Sequence, residues 1–173
     1  GYTVPLIRFR GYNEPWQMNI AANIFIQFLE KNHPELPVLS ASQEYGMIVR
    51  DKFGLQVQHN HDNESGYKLV LPGQFVIHLR SFQGGFAHSS VKGITSPAYT
   101  VLMFKDETLQ NDYFWKYILS SKNFIKELEK VTYGIRDGRS INYRDFSGLY
   151  FCYPKKNEQY EISRMLKYVD CLN

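Results

Sequence analysis

The chain has 173 residues, of which 43% are hydrophobic and 21% charged, as in an ordinary globular domain. A domain of this length buries enough apolar surface to fold without disulfides or metals. The formal net charge of +3 is mild for a nucleic-acid binder. No apolar run reaches the roughly 20 residues of a membrane span, so we expect no membrane segment.

The N-terminal part of the chain predicts a leading segment, a helix and two strands. Residues 1–17 lack a clear period and form a linker-like lead into the domain. From Met18 to Glu30 the apolar residues recur at helical spacing, which predicts a helix with one buried face, ended by the prolines that follow. Leu36–Ser42 and Gly46–Arg50 are predicted strands joined by a short connection.

A polar loop follows, in which His59 and His61 precede Asp62. Imidazole and carboxylate groups are good ligands for zinc or nickel, which raises the hypothesis of a metal-dependent enzyme. A structural metal site needs a fourth well-placed ligand and an ordered scaffold, and this loop offers little rigidity. We therefore favour a solvated loop and predict no metal site.

The stretch from Lys68 to Met103 holds two predicted strands, Gln74–Leu79 and Tyr99–Phe104, both rich in β-branched and aromatic residues. The loop after the first strand carries the candidate contact residues Arg80, Ser81, Gln83, Gly84 and Gly85. Arginine and glutamine make bidentate contacts with guanine and adenine edges, and paired glycines let the backbone approach a ligand closely. This chemistry suits a base-reading loop; the alternative is a glycine-rich hairpin with ordinary surface polar groups.

The C-terminal part predicts helices at Leu109–Ser120 and Lys122–Val131, with Ser121 as the cap of the second. A strand at Ser147–Tyr153 and a helix at Lys155–Leu172 follow. The 3-4 apolar pattern of the last helix is too short for an independent coiled coil, so we expect it to dock on its own domain or on another chain.

A second loop concentrates polar chemistry before the last strand. Its candidate contact residues are Arg136, Arg139, Ser140, Tyr143 and Arg144. Arginines near two glycines form a small cationic surface that suits phosphates or a guanine edge. The alternative is a structural turn in which Asp137 and Asp145 neutralise the first two arginines.

Three blocks of sequence stand in a definite order. The first is the stretch of residues 68–103, with Gly93–Val101 (GITSPAYTV) at its end. The second comprises Gly134–Ile141, Tyr143, Asp145 and Phe146, and the third comprises Pro154, Glu158, Gln159 and Ile162. Together and in this order, the blocks resemble the target recognition domain and the start of the spacer helix of a type I restriction–modification specificity subunit.

The resemblance implies an α+β fold, with a curved, mostly antiparallel sheet framed by helices and a C-terminal spacer-helix stub. It assigns residues 18–154 to the target recognition domain and residues 155–173 to the spacer helix. The chain would read one half of a bipartite double-stranded DNA site, as a half-length subunit or as half of a longer one. Methylation and cleavage would belong to modification and motor subunits, which bring S-adenosylmethionine, ATP and magnesium, and a second copy could pair through the spacer helix.

The sequence contains no familiar catalytic signature. The G-x-G-x-x-G, Walker, G-x-S-x-G and Asn/Asp-Pro-Pro-aromatic motifs are absent, and no acidic residue has a lysine two positions later. We therefore predict a chain without catalytic residues or a cofactor of its own. Cys152 and Cys171 lack metal-ligand spacing and fit a reducing cytoplasm, where we expect the protein. The alternative function is a protein-interaction module that uses the aromatic surface and the C-terminal helix.

Overall fold

The computed structural model describes residues 5, 7–42, 44–50, 65–78, 85–132 and 141–172, with backbone alone for 129–132. The strands are β1 (Gln17–Ile20), β2 (Phe25–Phe28), β3 (Leu39–Ser42), β4 (Gly46–Val49), β5 (Lys68–Val70), β6 (Phe75–Ile77), β7 (Phe86–His88), β8 (Gly93–Thr95), β9 (Thr100–Phe104) and β10 (Tyr150–Tyr153). The α-helices are α1 (Ala21–Ile24), α2 (Asp112–Leu119), α3 (Lys122–Thr132), α4 (Tyr143–Ser147) and α5 (Lys156–Asp170). The prediction of an α+β fold with antiparallel sheets and a C-terminal helix is confirmed.

The central element is a four-stranded antiparallel sheet in the order β2-β9-β6-β7. Three strand pairs, β1–β10, β3–β4 and β5–β8, form separate two-stranded sheets around it. In the central sheet Val76 of β6 lies opposite Val101 of β9 on one side and Ala87 of β7 on the other. The β-branched pair of Val76 and Val101 is of the kind that stabilises neighbouring strands.

One face of the central sheet carries the aromatic core. The ring of Phe25 lies 5.1 Å from that of Trp115, 5.2 Å from Phe104 and 5.5 Å from Phe146. Edge-on and tilted contacts of this kind add to the stabilisation that burial provides. The aromatic core therefore joins the sheet to α2 and α4.

The other face of the sheet is covered by the β3–β4 hairpin. Val76, Ala87 and Val101 alternate with the residues of the aromatic core and pack with Leu39 and Met47 in a second buried cluster. Because both faces are buried, the central strands are apolar at nearly every position, as the sequence of β6 and β9 shows.

The predicted helix from Met18 to Glu30 is wrong. These residues form β1, the single turn α1 and β2, and the two strands pair with β10 and β9. The helical spacing arose because Phe25 faces the aromatic core whereas Phe28 packs on the opposite cluster, so both faces of one short strand are apolar. Strand pairing with distant segments outweighs the local pattern here.

Elsewhere the predicted elements are present with shifted ends. Ser121 caps α3 as predicted, since its Oγ accepts a hydrogen bond of 3.2 Å from the Phe124 amide. The sequence did not predict α4, which begins after Asn142, whose side chain accepts from the Asp145 amide at 2.9 Å. Among the described residues, no helix is both long and apolar enough to cross a membrane.

Candidate nucleic-acid interface

The first predicted loop joins β6 to β7 as a hairpin. The amide of His78 donates a 2.9 Å hydrogen bond to the carbonyl oxygen of Gly85, which closes the hairpin at its last described pair. Gly85 is buried and has a φ of 50°, a left-handed conformation that favours glycine. The other four candidate residues, Arg80, Ser81, Gln83 and Gly84, lie outside the described residues.

The second predicted loop lies between α3 and α4. Its candidates Arg136, Arg139 and Ser140 lie outside the described residues, as do His59 and His61 of the metal hypothesis. Two further candidates, Tyr143 and Arg144, begin α4. The Tyr143 hydroxyl donates a 2.9 Å hydrogen bond to the carbonyl oxygen of Phe25 and its ring packs on the aromatic core, whereas Arg144 is exposed. Tyr143 thus has a structural role, and its contact with DNA stays a prediction.

The residues that anchor the two loops meet in the aromatic core. Phe86 follows the first loop directly, and its ring lies 5.3 Å from Phe124 of α3 and 5.2 Å from Phe146 of α4. Ile141, which follows the second loop, is buried in the same cluster. The structure therefore brings together the supports of both predicted loops, on a scaffold of rigid elements.

Polar residues that sequence reasoning missed lie beside the first loop. Since Ile77 lies opposite Thr100, the next pair outward is His78 and Tyr99, whose rings are 6.2 Å apart. Burial lowers the pKa of His78 below its ordinary value. The Lys68 ammonium donates a hydrogen bond to the carbonyl oxygen of Tyr99. These residues lie at or near the ends of strands beside a polar loop. Their closeness to one another depends on the strand register, which the sequence alone does not give.

The leading segment is fixed to the start of α5 by an ion pair between the half-buried Arg8 and the buried Glu158. Arg8 Nε lies 2.6 Å from Glu158 Oε1 and Arg8 Nη2 lies 2.7 Å from Glu158 Oε2, a bidentate geometry. The hydrogen bond with Glu158 raises the pKa of Arg8 above its ordinary value. Trp16 Nε1 also donates to this carboxylate, at 3.4 Å.

The neighbouring side chain, Gln159, connects α5 to the start of α2. It is fully buried, and its Oε1 accepts a 2.8 Å hydrogen bond from the Asn111 amide while its Nε2 donates to Pro154 O at 2.9 Å. Nε2 also lies 3.3 Å from Gln110 Oε1, which accepts from Trp115 Nε1 at 2.8 Å. A satisfied buried network of this kind fixes a single arrangement of the elements that it joins.

A cavity of about 250 Å³ lies between β7, α2 and α5. His88 reaches its wall, and His88 Nε2 lies 2.8 Å from Asp112 Oδ2. Burial raises the pKa of Asp112, but the hydrogen bond and charge of His88 outweigh it, so the pKa lies below its ordinary value. The serine in the lining, Ser120, donates its hydroxyl to the Lys116 carbonyl at 2.7 Å, so His88 does not activate it as a nucleophile.

The sequence matches no protein-family model and no curated protein. Its fold, however, is similar to solved type I restriction–modification structures. The S subunit from M. genitalium superposes with a TM-score of 0.58 at 16% identity, over 98% of this chain and 41% of that one. The HsdS subunit from Thermoanaerobacter tengcongensis superposes with a TM-score of 0.55 at 15% identity, over 95% of this chain and 40% of that one. A chain from a structure of the assembly and conformational transition of the type I R-M system superposes with a TM-score of 0.59 at 15% identity. The match covers 94% of this chain and 40% of that one.

These superpositions define the class of fold. Nearly the whole of this chain matches about two fifths of each larger chain. The fold is therefore that of one part of a type I restriction–modification S subunit. At 15–16% identity the likeness is one of architecture.

Proposed function

We propose that this chain recognises one half of a bipartite DNA sequence as a specificity subunit, or half-subunit, of a type I restriction–modification complex. The observation that carries the proposal is the convergence of Phe86, Phe124 and Phe146, because the elements that flank both predicted loops meet in one buried cluster. The shared architecture with type I S subunits supports the same function.

Each loop has a distinct chemical task in this proposal. Arg80 and Gln83 have the donor and acceptor groups to read guanine and adenine edges, with Ser81 and the Gly84-Gly85 backbone beside them. Arg136, Arg139 and Ser140 flank them and suit phosphates or a second base, with Tyr143 and Arg144 at the edge of α4. Base contacts specify the sequence, and phosphate contacts fix the register of the duplex.

The chemistry of modification and cleavage lies in other chains in this proposal. Methyltransferase subunits bring S-adenosylmethionine, and motor–nuclease subunits bring ATP and magnesium, so this chain acts in the cytoplasm without a cofactor or catalytic residue. The exposed side of α5 carries Met165 and Tyr168, and the exposed Leu172 follows just beyond its end at the same 3-4 spacing, which suits a helix of a second copy. Pairing of two copies would place two recognition domains on one DNA.

Selection of duplexes from a random library tests the proposal. The unaltered chain should enrich a short sequence, and Arg80→Ala should cost about 1–3 kcal/mol on that sequence while relaxing one base position. Arg164→Ala is the control, because Arg164 is an exposed residue of α5 that pairs with Glu161 at 3.0 Å. Absence of any sequence preference in the unaltered chain, or an unchanged preference in both Arg80→Ala and Gln83→Ala, would contradict the assignment.

A further inference from the structure

The backbone brings Lys31 next to Lys68. Beyond the end of β2 the chain continues alongside the segment that leads into β5. The Leu69 amide donates to Glu30 O at 2.8 Å, and the Asn32 amide donates to Ser65 O at 3.3 Å. Lys31 lies between these two bonds, so the two lysines occupy neighbouring segments at one edge of the protein.

The described carboxylates nearest in sequence are engaged elsewhere. His33 Nε2 lies 2.7 Å from Glu30 Oε1, and His33 Nδ1 lies 3.3 Å from Glu35 Oε1. Among the ion pairs between described residues, none involves Lys31 or Lys68. Burial, and next the charge of Lys31, lowers the pKa of Lys68 below its ordinary value. Among the described residues, the two ammonium groups thus share one edge without a neutralising partner.

This edge adjoins the first predicted loop. Lys68 donates a hydrogen bond to the carbonyl oxygen of Tyr99, and the Tyr99 ring contacts His78, which closes the β6–β7 hairpin. An ammonium has three protons, and the bond to Tyr99 uses one of them, which leaves Lys68 free to donate outward. Lys31 is exposed.

We propose that Lys31 and Lys68 together bind a backbone phosphate of DNA beside the β6–β7 hairpin. The inference rests on the proposed function and adds to it a contact outside both predicted loops. A phosphate oxygen pair relieves the repulsion between two ammonium groups and matches their donors. Because a phosphate is present at every step of the duplex, this contact sets the register of the hairpin on DNA and carries no sequence information.

The salt dependence of DNA binding tests the inference. In Lys31→Gln and Lys68→Gln, the slope of the logarithm of the DNA-binding constant against the logarithm of the salt concentration should become shallower. The expected change is about 0.9 for each phosphate that the protein no longer neutralises. It should be the same on preferred and on arbitrary duplexes. The sequence enriched from a random library should stay the same. Lys31→Arg and Lys68→Arg keep the charge and should retain the slope, and thermal melts of every variant exclude loss of folding.

Lys105→Gln is the matched control. Lys105 is exposed and follows the other end of β9, about 20 Å along the strand from Tyr99, so the same loss of charge should leave the slope unchanged. If the double variant of Lys31 and Lys68 binds with an unchanged slope, or if Lys105→Gln lowers it equally, the phosphate contact is wrong and the proposed function stands. If the unaltered chain binds no duplex at low salt, both fail.

Discussion

Arg8 and Glu158 form a bidentate salt bridge with N–O distances of 2.6 and 2.7 Å, although 150 positions separate them in the sequence. The Glu158 side chain is 2% exposed, so its carboxylate lies in a low-dielectric environment in which an unpaired charge is costly. The bridge holds the leading segment against the first turn of α5. The position of the first turn of α5 is therefore tied to a residue near the start of the given sequence.

Glu158→Gln should destabilise the protein strongly. The substitution removes the buried carboxylate that pairs with the half-buried Arg8 guanidinium, and we expect the melting temperature to fall by about 5 °C. Glu14→Gln is the control, because Glu14 pairs with Lys155 at 2.6 Å on the surface, with both side chains more than half exposed. Equal melting temperatures for the two variants would show that the buried bridge contributes no stability.

Gln159→Ala should cost about 3 kcal/mol of unfolding free energy, measured by urea denaturation. The change leaves the Asn111 amide and the Pro154 carbonyl without their side-chain partner in a fully buried site. Asn157→Ala lies in the same helix at an exposed position and should change stability by less than about 0.5 kcal/mol. A small effect at Gln159 would mean that another group replaces its hydrogen bonds.

Gly46→Ala should destabilise the β3–β4 hairpin by at least about 2 kcal/mol. Gly46 has a φ of 74°, and an added Cβ would meet the backbone carbonyl of His88 in the central sheet. Gly148 has no atom within 4 Å of an added Cβ, so Gly148→Ala should be nearly neutral. Both variants add a single methyl group, so their melting temperatures can be compared directly. Similar melting temperatures would contradict the close approach of β4 to β7.

His33 and His78 should titrate on opposite sides of the ordinary histidine pKa of 6.5. Hydrogen bonds with Glu30 and then Glu35 raise the pKa of His33, whereas burial lowers the pKa of His78. The His33 contacts are therefore fully stabilising below pH 6.5 and weaken as the pH rises through the raised pKa. Neutral His78 has the opposite dependence, and its contribution is lost on acidification through the lowered pKa.

Proton NMR titration of the imidazole rings measures both values in one experiment. Glu30→Gln should move the midpoint of His33 towards 6.5 and leave that of His78 unchanged. His33→Gln and His78→Gln assign the two resonances. Coincident midpoints near 6.5 would show that neither environment is as described.

Much of the scaffold could be predicted from the sequence, since its signals are local. The β-branched and aromatic run of Tyr99–Phe104 and the serine cap of α3 each lie within a few residues. The segment Met18–Glu30 was mispredicted because its partners, β9 and β10, are distant in sequence. The apposition of Lys31 and Lys68 likewise depends on strand register, which no local pattern specifies.

In the candidate site, too, some features have local sequence signals and others depend on contacts between distant segments. Glycine and arginine content identified both loops as places of polar chemistry, but the aromatic support under them joins Phe86 to α3 and α4 through tertiary contacts. Tyr143 shows the limit of composition most directly. Its place beside the arginines made it a candidate contact residue, whereas in the structure its hydroxyl donates to the carbonyl oxygen of Phe25.

The closure of the β6–β7 hairpin by His78 and Gly85 limits which residues evolution can place beside it. Gly85 is buried and has a φ of 50°, and a residue with a Cβ is strained in that conformation. Substitution at this position therefore carries a conformational cost that does not depend on any ligand.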